Sequence, residues 1–67
     1  MTWTADVTND PERGFSLYLE LLEGDESRGR IQRTDAGVLE LRIYGPEETR
    51  IPVDWLLTVM EGARKEL

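Results

Sequence analysis

The sequence predicts an α+β fold: an antiparallel β-meander of four to five strands packed against one C-terminal α-helix. Three observations carry that prediction. Apolar and polar residues alternate with period two in several segments of residues 2–53, separated by short turn clusters. From Trp55 onward the apolar residues recur at helical spacing instead. Projected at about 100° per residue, Trp55, Leu56, Val59, Met60, Ala63 and Leu67 share one sector. Finally, 67 residues make a single domain, 1–67, with room for one two-layer core.

Taken in order, residues 2–8 alternate with Trp3, Ala5 and Val7 on one side and threonines and Asp6 on the other, which reads as a strand. Asn9-Asp10-Pro11-Glu12-Arg13-Gly14 is a turn-forming cluster. Residues 15–23 fit two conformations. As a strand, Phe15, Leu17, Leu19 and Leu21 point inward. As a helix, Asp10 caps, Pro11 takes the first position and Gly24 ends it. The strand is preferred because Gly24-Asp25-Glu26-Ser27 leads straight into another alternating segment, residues 28–33, as in a hairpin. Thr34-Asp35-Ala36-Gly37 is a tight turn, and Val38–Tyr44 is the clearest strand, with Leu39, Leu41 and Ile43 inward. After Gly45-Pro46-Glu47-Glu48, residues 49–53 read as a short last strand with Ile51 and Val53 inward, confined to an edge by Pro52. Asp54 suits the N-cap of the helix that follows.

Composition narrows the function more by exclusion than by assignment. The chain has no cysteine and no histidine, so disulfides, thiolate or imidazole catalysis and Cys/His zinc sites are ruled out. Its remaining carboxylates cluster at turns, where water keeps them ionised, and no glycine loop has the lysine and spacing of a phosphate cradle. No catalytic residue, cofactor or metal site is expected. No apolar run approaches the roughly 18 residues of a spanning helix. Residues 1–8 lack a basic leader pattern, so a cytoplasmic protein without a membrane partner is expected. The net charge of −6 disfavours general affinity for nucleic acid. That charge is uneven, however. Residues 1–26 hold seven acids against Arg13 alone, whereas residues 27–50 hold five arginines against four acids.

The arginine-bearing middle gives a candidate binding face. If residues 15–23 are a strand, Tyr18, Arg28, Arg30, Gln32, Arg42, Tyr44 and Arg50 share the outward side of the sheet, with Glu20 and Glu40 among them. Arginine for phosphate and tyrosine for bases is the chemistry of a single-stranded nucleic-acid platform. Cross-strand ion pairing of Glu20 and Glu40 with neighbouring arginines is the structural explanation of the same residues. The order of elements over residues 15–67, with Leu39-Glu40-Leu41-Arg42-Ile43-Tyr44 followed by Ile51-Pro52-Val53-Asp54-Trp55, resembles the positive-cofactor-4-like single-stranded-DNA-binding fold. The likeness is one of layout. It implies dimerisation through helices and DNA on the sheet, although this chain lacks that family's lysine-rich loops.

The helix supplies a second candidate surface. Its apolar arc spans about 200°, wider than the roughly 100° stripe of an ordinary surface helix. Trp55, Leu57 and Gly62 are candidates for self-association into a homodimer, and the alternative is that Trp3 covers this edge within one molecule. The expected function is a small non-enzymatic protein-interaction module, such as an inhibitor, an immunity-like protein or an accessory subunit. An acidic surface of this kind suits a basic protein partner. Nucleic-acid binding on the arginine–tyrosine face is the alternative.

Overall fold

The computed structural model describes residues 2–67; Met1, at the start of the expected domain, lies outside them. The alternating segments form four strands: β1 (Trp3–Asp10), β2 (Ser16–Glu23), β3 (Glu26–Arg33) and β4 (Leu39–Ile43). They pair antiparallel in chain order, β1-β2-β3-β4, so β1 and β4 are the edges. One helix, α1 (Val53–Glu66), packs on the sheet. The α+β meander with a C-terminal helix is therefore present, with four strands.

Residues 16–23 are strand, and the alternative helix survives as a single 3-10 turn, Pro11–Arg13. Its cap is the one expected for the longer helix: Asp10 accepts from the Glu12 amide at 3.1 Å, and Pro11 follows it. Gly14 ends that turn in the left-handed region, and Phe15 adopts a φ of 62° beside it. This places Phe15 outside the strand and 65% exposed, not inward as its place in the pattern suggests. Gly24 takes a positive φ at the first position of the two-residue β2–β3 turn, where glycine is favoured.

The register sets the faces. Val7 pairs with Leu19, Leu19 with Ile31 and Ile31 with Leu41, and these residues share the helix side of the sheet. Between Leu21 and Leu22 the register shifts: Leu21 pairs with Gly29 and Leu22 with Ser27, leaving Arg28 as the extra residue of a β-bulge. Gly29 is buried, and a Cβ built on it would lie 2.5 Å from the Arg42 carbonyl oxygen and 3.1 Å from Ile43 Cδ1. Only glycine lets β4 and the Ile43 side chain come this close.

Leu19, Leu21, Ile31 and Ala63 are the buried apolar side chains of the core, ringed by Trp3, Ala5, Leu39, Trp55, Leu56, Val59 and Leu67. Trp3 and Trp55 meet with ring centroids 5.4 Å apart, pinning the start of α1 over β1. At the other end, Arg33 donates to the Leu67 carbonyl at 3.0 Å and to the Gly37 carbonyl at 2.8 Å, tying the β3–β4 turn to the helix terminus.

Two expectations are corrected. Residues 49–53 form no strand: beyond Tyr44 the chain runs to Pro52 without joining the sheet, and Val53 is already helical. Pro46 and Pro52 each lack an N–H, which leaves little for a ladder to hold. The helix is not capped by Asp54. Pro52 occupies the N-cap with no side-chain bond, and Asp54 lies in the first turn, where a carboxylate still favours the helix dipole. Of the residues that alternation points inward, Leu17, Leu41, Ile43 and Val53 remain exposed.

Two glycine substitutions should move stability in opposite directions. Gly29→Ala should destabilise by about 1–3 kcal/mol through overpacking. Gly62→Ala meets nothing within 4 Å and should stabilise by up to about 1 kcal/mol through helix propensity. Urea midpoints of the two variants against wild type check both signs.

Candidate functional site

Period two carries Tyr18, Arg30, Gln32, Arg42 and Tyr44 to the sheet face opposite α1, as the sequence predicts. There they form a cluster around Arg30. Tyr18 pairs with Gln32, and Arg30 with Arg42, in the ladders. The Arg30 guanidinium lies 4.0 Å from the centroid of the Tyr18 ring and 5.7 Å from that of Tyr44. Its Nε donates to the Tyr44 hydroxyl, and its Nη1 reaches Asp10 Oδ2 at 3.2 Å and Gln32 Oε1 at 3.4 Å. The Tyr44 hydroxyl is the largest influence holding this guanidinium above its ordinary pKa. Partial burial opposes it, while both tyrosines and Asp10 reinforce it. Arg30 is thus a cation stacked on one tyrosine, bonded to the other and neutralised by a carboxylate from β1.

The other arginines are placed differently. Arg28, displaced by the bulge, meets Glu26 at 2.9 Å, Glu23 at 3.1 Å and Glu47 at 3.7 Å. Arg50 lies in the loop between β4 and α1, not on the sheet, and pairs with Glu48 at 3.6 Å in full solvent. Arg42 is exposed, 5.7 Å from the Tyr44 ring, and among the described residues it forms no ion pair. The face therefore offers one uncommitted guanidinium.

Cross-strand pairing is present, but through carboxylates the sequence reading did not choose. Glu20 stands opposite Arg30 in register, yet the ion pair goes to Asp10. The sequence pattern places Asp10 in a turn. Strand β1 runs to Asp10, and two-residue periodicity then puts its carboxylate on the same face as Tyr18. Extending the even-numbered side Thr4, Asp6, Thr8 by one more step would have found it.

The helix candidates fall on two flanks. Trp55 packs on Trp3 toward β1, and Gly62, seven residues later, projects toward the same flank with open space around it. Leu57 is 55% exposed on the other flank, where Met60 shares a small apolar hollow with Ile31, Leu39 and Leu41. The indole is thus covered within the molecule, whereas Leu57 is not. Among the described residues, no group of three or more acidic side chains is arranged to hold a metal ion, and no helix is long and apolar enough to cross a membrane.

No protein-family model, curated protein or solved structure matches this chain. The layout likeness to the positive-cofactor-4 family is also reduced by the missing fifth strand, since residues 15–67 contain three strands and a helix.

Truncation should separate the two opposed arginines. Arg30→Ala strands Asp10 and uncovers Tyr18, and should cost about 2 kcal/mol. Arg42→Ala should change stability by less than about 0.5 kcal/mol, as for a surface residue without partners. Chemical denaturation of both variants measures the difference.

Proposed function

We propose that this chain is a small non-enzymatic protein-interaction module, acting in the cytoplasm on a protein partner. The observation that carries the reading is the contrast between its two surfaces. On the arginine–tyrosine face the groups that would grip a nucleic acid are, Arg42 apart, used internally: Tyr18 is stacked under Arg30, Tyr44 is bonded to it, and Arg28 is surrounded by carboxylates. Along the flank between β4 and α1, by contrast, Leu41, Ile43, Val53, Leu57 and Met60 are all exposed. Apolar surface gathered in one place is what a protein contact uses. The net charge of −6 further supports a protein partner over a polyanion. The absence of cysteine fits a reducing compartment.

Labelled oligo-dT titrated at about 50 mM salt, where phosphate contacts are strongest, tests this against single-strand binding. No binding is expected for wild type. Binding that the Arg30→Ala/Arg42→Ala double variant abolishes would transfer the function to the sheet face and overturn the protein-interaction reading.

A further inference from the structure

The free edge of β4 is self-complementary, and we propose that a second copy of this chain pairs with it antiparallel, centred on Leu41, joining two sheets into one of eight strands. This deepens the protein-interaction reading by naming a partner for its apolar flank.

The backbone comes first. The Tyr44 amide donates to the Arg28 carbonyl, and the Thr34 amide to the Val38 carbonyl. Antiparallel ladders alternate hydrogen-bonded with non-bonded pairs, so Arg42 and Glu40 also bond inward to β3. The N–H and C=O groups of Leu39, Leu41 and Ile43 consequently point away from the sheet. The strand presenting them contains no proline, lysine or bulge of the kind that blunts an edge. Pairing about Leu41 sets Leu41 opposite its copy and Leu39 opposite Ile43, and these outward groups are the ones such a ladder requires.

Charge fixes the occupant. The same register places Glu40 opposite Arg42 of the second copy, twice, as non-hydrogen-bonded pairs, in which side chains approach most closely. Within one molecule neither stands opposite an opposite charge in the ladder. Arg42 faces Arg30 across the ladder and Glu40 faces Gln32, and among the described residues neither forms an ion pair. The other edge, β1, carries Asp6 and Asp10 and no base, so two copies of it would repel.

The apolar side chains agree. A two-fold axis normal to the sheet puts both helices on the same side of the joined sheet. Leu41 and Ile43 of each copy then floor a trough between them, walled by Leu57 and Met60, which are 55% and 39% exposed in the single chain.

The test is sedimentation of the full chain from about 5 to about 500 µM, a range that brackets an ordinary transient dimer. Wild type should dimerise. Glu40→Arg and Arg42→Glu each turn both inter-copy pairs into like-charge pairs, and each alone should dimerise about tenfold more weakly. Mixed one to one, they restore opposite charges at every position and should associate at least as tightly as wild type. As a readout independent of any variant's folding, the Leu39, Leu41 and Ile43 amides of wild type should gain exchange protection as concentration rises. A wild-type monomer throughout the range, variants as tight as wild type, or a mixture no tighter than its components would each overturn the proposal. So would unprotected β4 amides in the dimer. The two readings fail separately: a monomer removes the self-pairing alone, whereas oligonucleotide binding through Arg30 and Arg42 removes the protein-interaction reading.

Discussion

A single helix cannot cover a four-stranded sheet, and most of what distinguishes this molecule follows from that mismatch. A helix with its side chains is about 10 Å across, while four strands at about 4.8 Å spacing make a wider floor. Ala63 has no side chain beyond Cβ to hold α1 away from the sheet, and it is fully buried with Leu19, Leu21 and Ile31. The stacking of Trp55 on Trp3 draws the helix start toward β1. Coverage is therefore taken from the opposite side, and β4 keeps an apolar face that α1 only partly reaches. The wide apolar arc of the helix and the exposed Leu41 and Ile43 of β4 have one geometric cause.

The opposite face shows how a small protein can carry arginines without offering them to a ligand. Arg30 is half-buried and its donors are distributed over Tyr44, Asp10 and Gln32. The described residues include no buried side-chain polar atom without a partner. A guanidinium held this way contributes rigidity across three strands, since its contacts come from β1, β2 and the end of β4. It also orders Tyr18 and Tyr44 against itself, so the rings serve as packing surface. The charge asymmetry along the chain is partly cancelled in space, because acids of residues 1–26 meet arginines of residues 27–50. Asp10 with Arg30 and Glu23 with Arg28 are the clearest cases.

Strand and helix identity were legible because each rests on a local period. Leu39-Glu40-Leu41-Arg42-Ile43 alternates cleanly, whereas residues 15–23 fit strand or helix until the hairpin-like turn after them decides it. On the arginine–tyrosine face, Tyr18, Arg30, Gln32, Arg42 and Tyr44 follow from the same parity, while Arg28 and Arg50 do not. Failures occurred where a local pattern lacked a tertiary partner. Ile51 and Val53 alternate like a strand, but no ladder forms through a segment bounded by Pro46 and Pro52. Phe15 continues the parity of Leu17 and Leu19, but the left-handed backbone of the 3-10 turn's exit carries it outward. Asp54 has the chemistry of a cap, yet helical geometry begins one residue before it, at Val53. For the site, parity could show which side chains share a face but not which of them satisfy one another. The Asp10–Arg30 pair spans 20 residues and depends on the register of two ladders.

The order of the sheet has a temporal consequence. Because β1 to β4 neighbour one another in chain order, each ladder can close across a short turn as soon as its second strand exists. The core is another matter, since it includes Ala63 and is completed by Leu67. A nascent chain can thus have most of its backbone pairing while Leu19, Leu21 and Ile31 still face water. Burial arrives in one late step, when the helix emerges and settles. Until then the growing polypeptide presents an open apolar sheet.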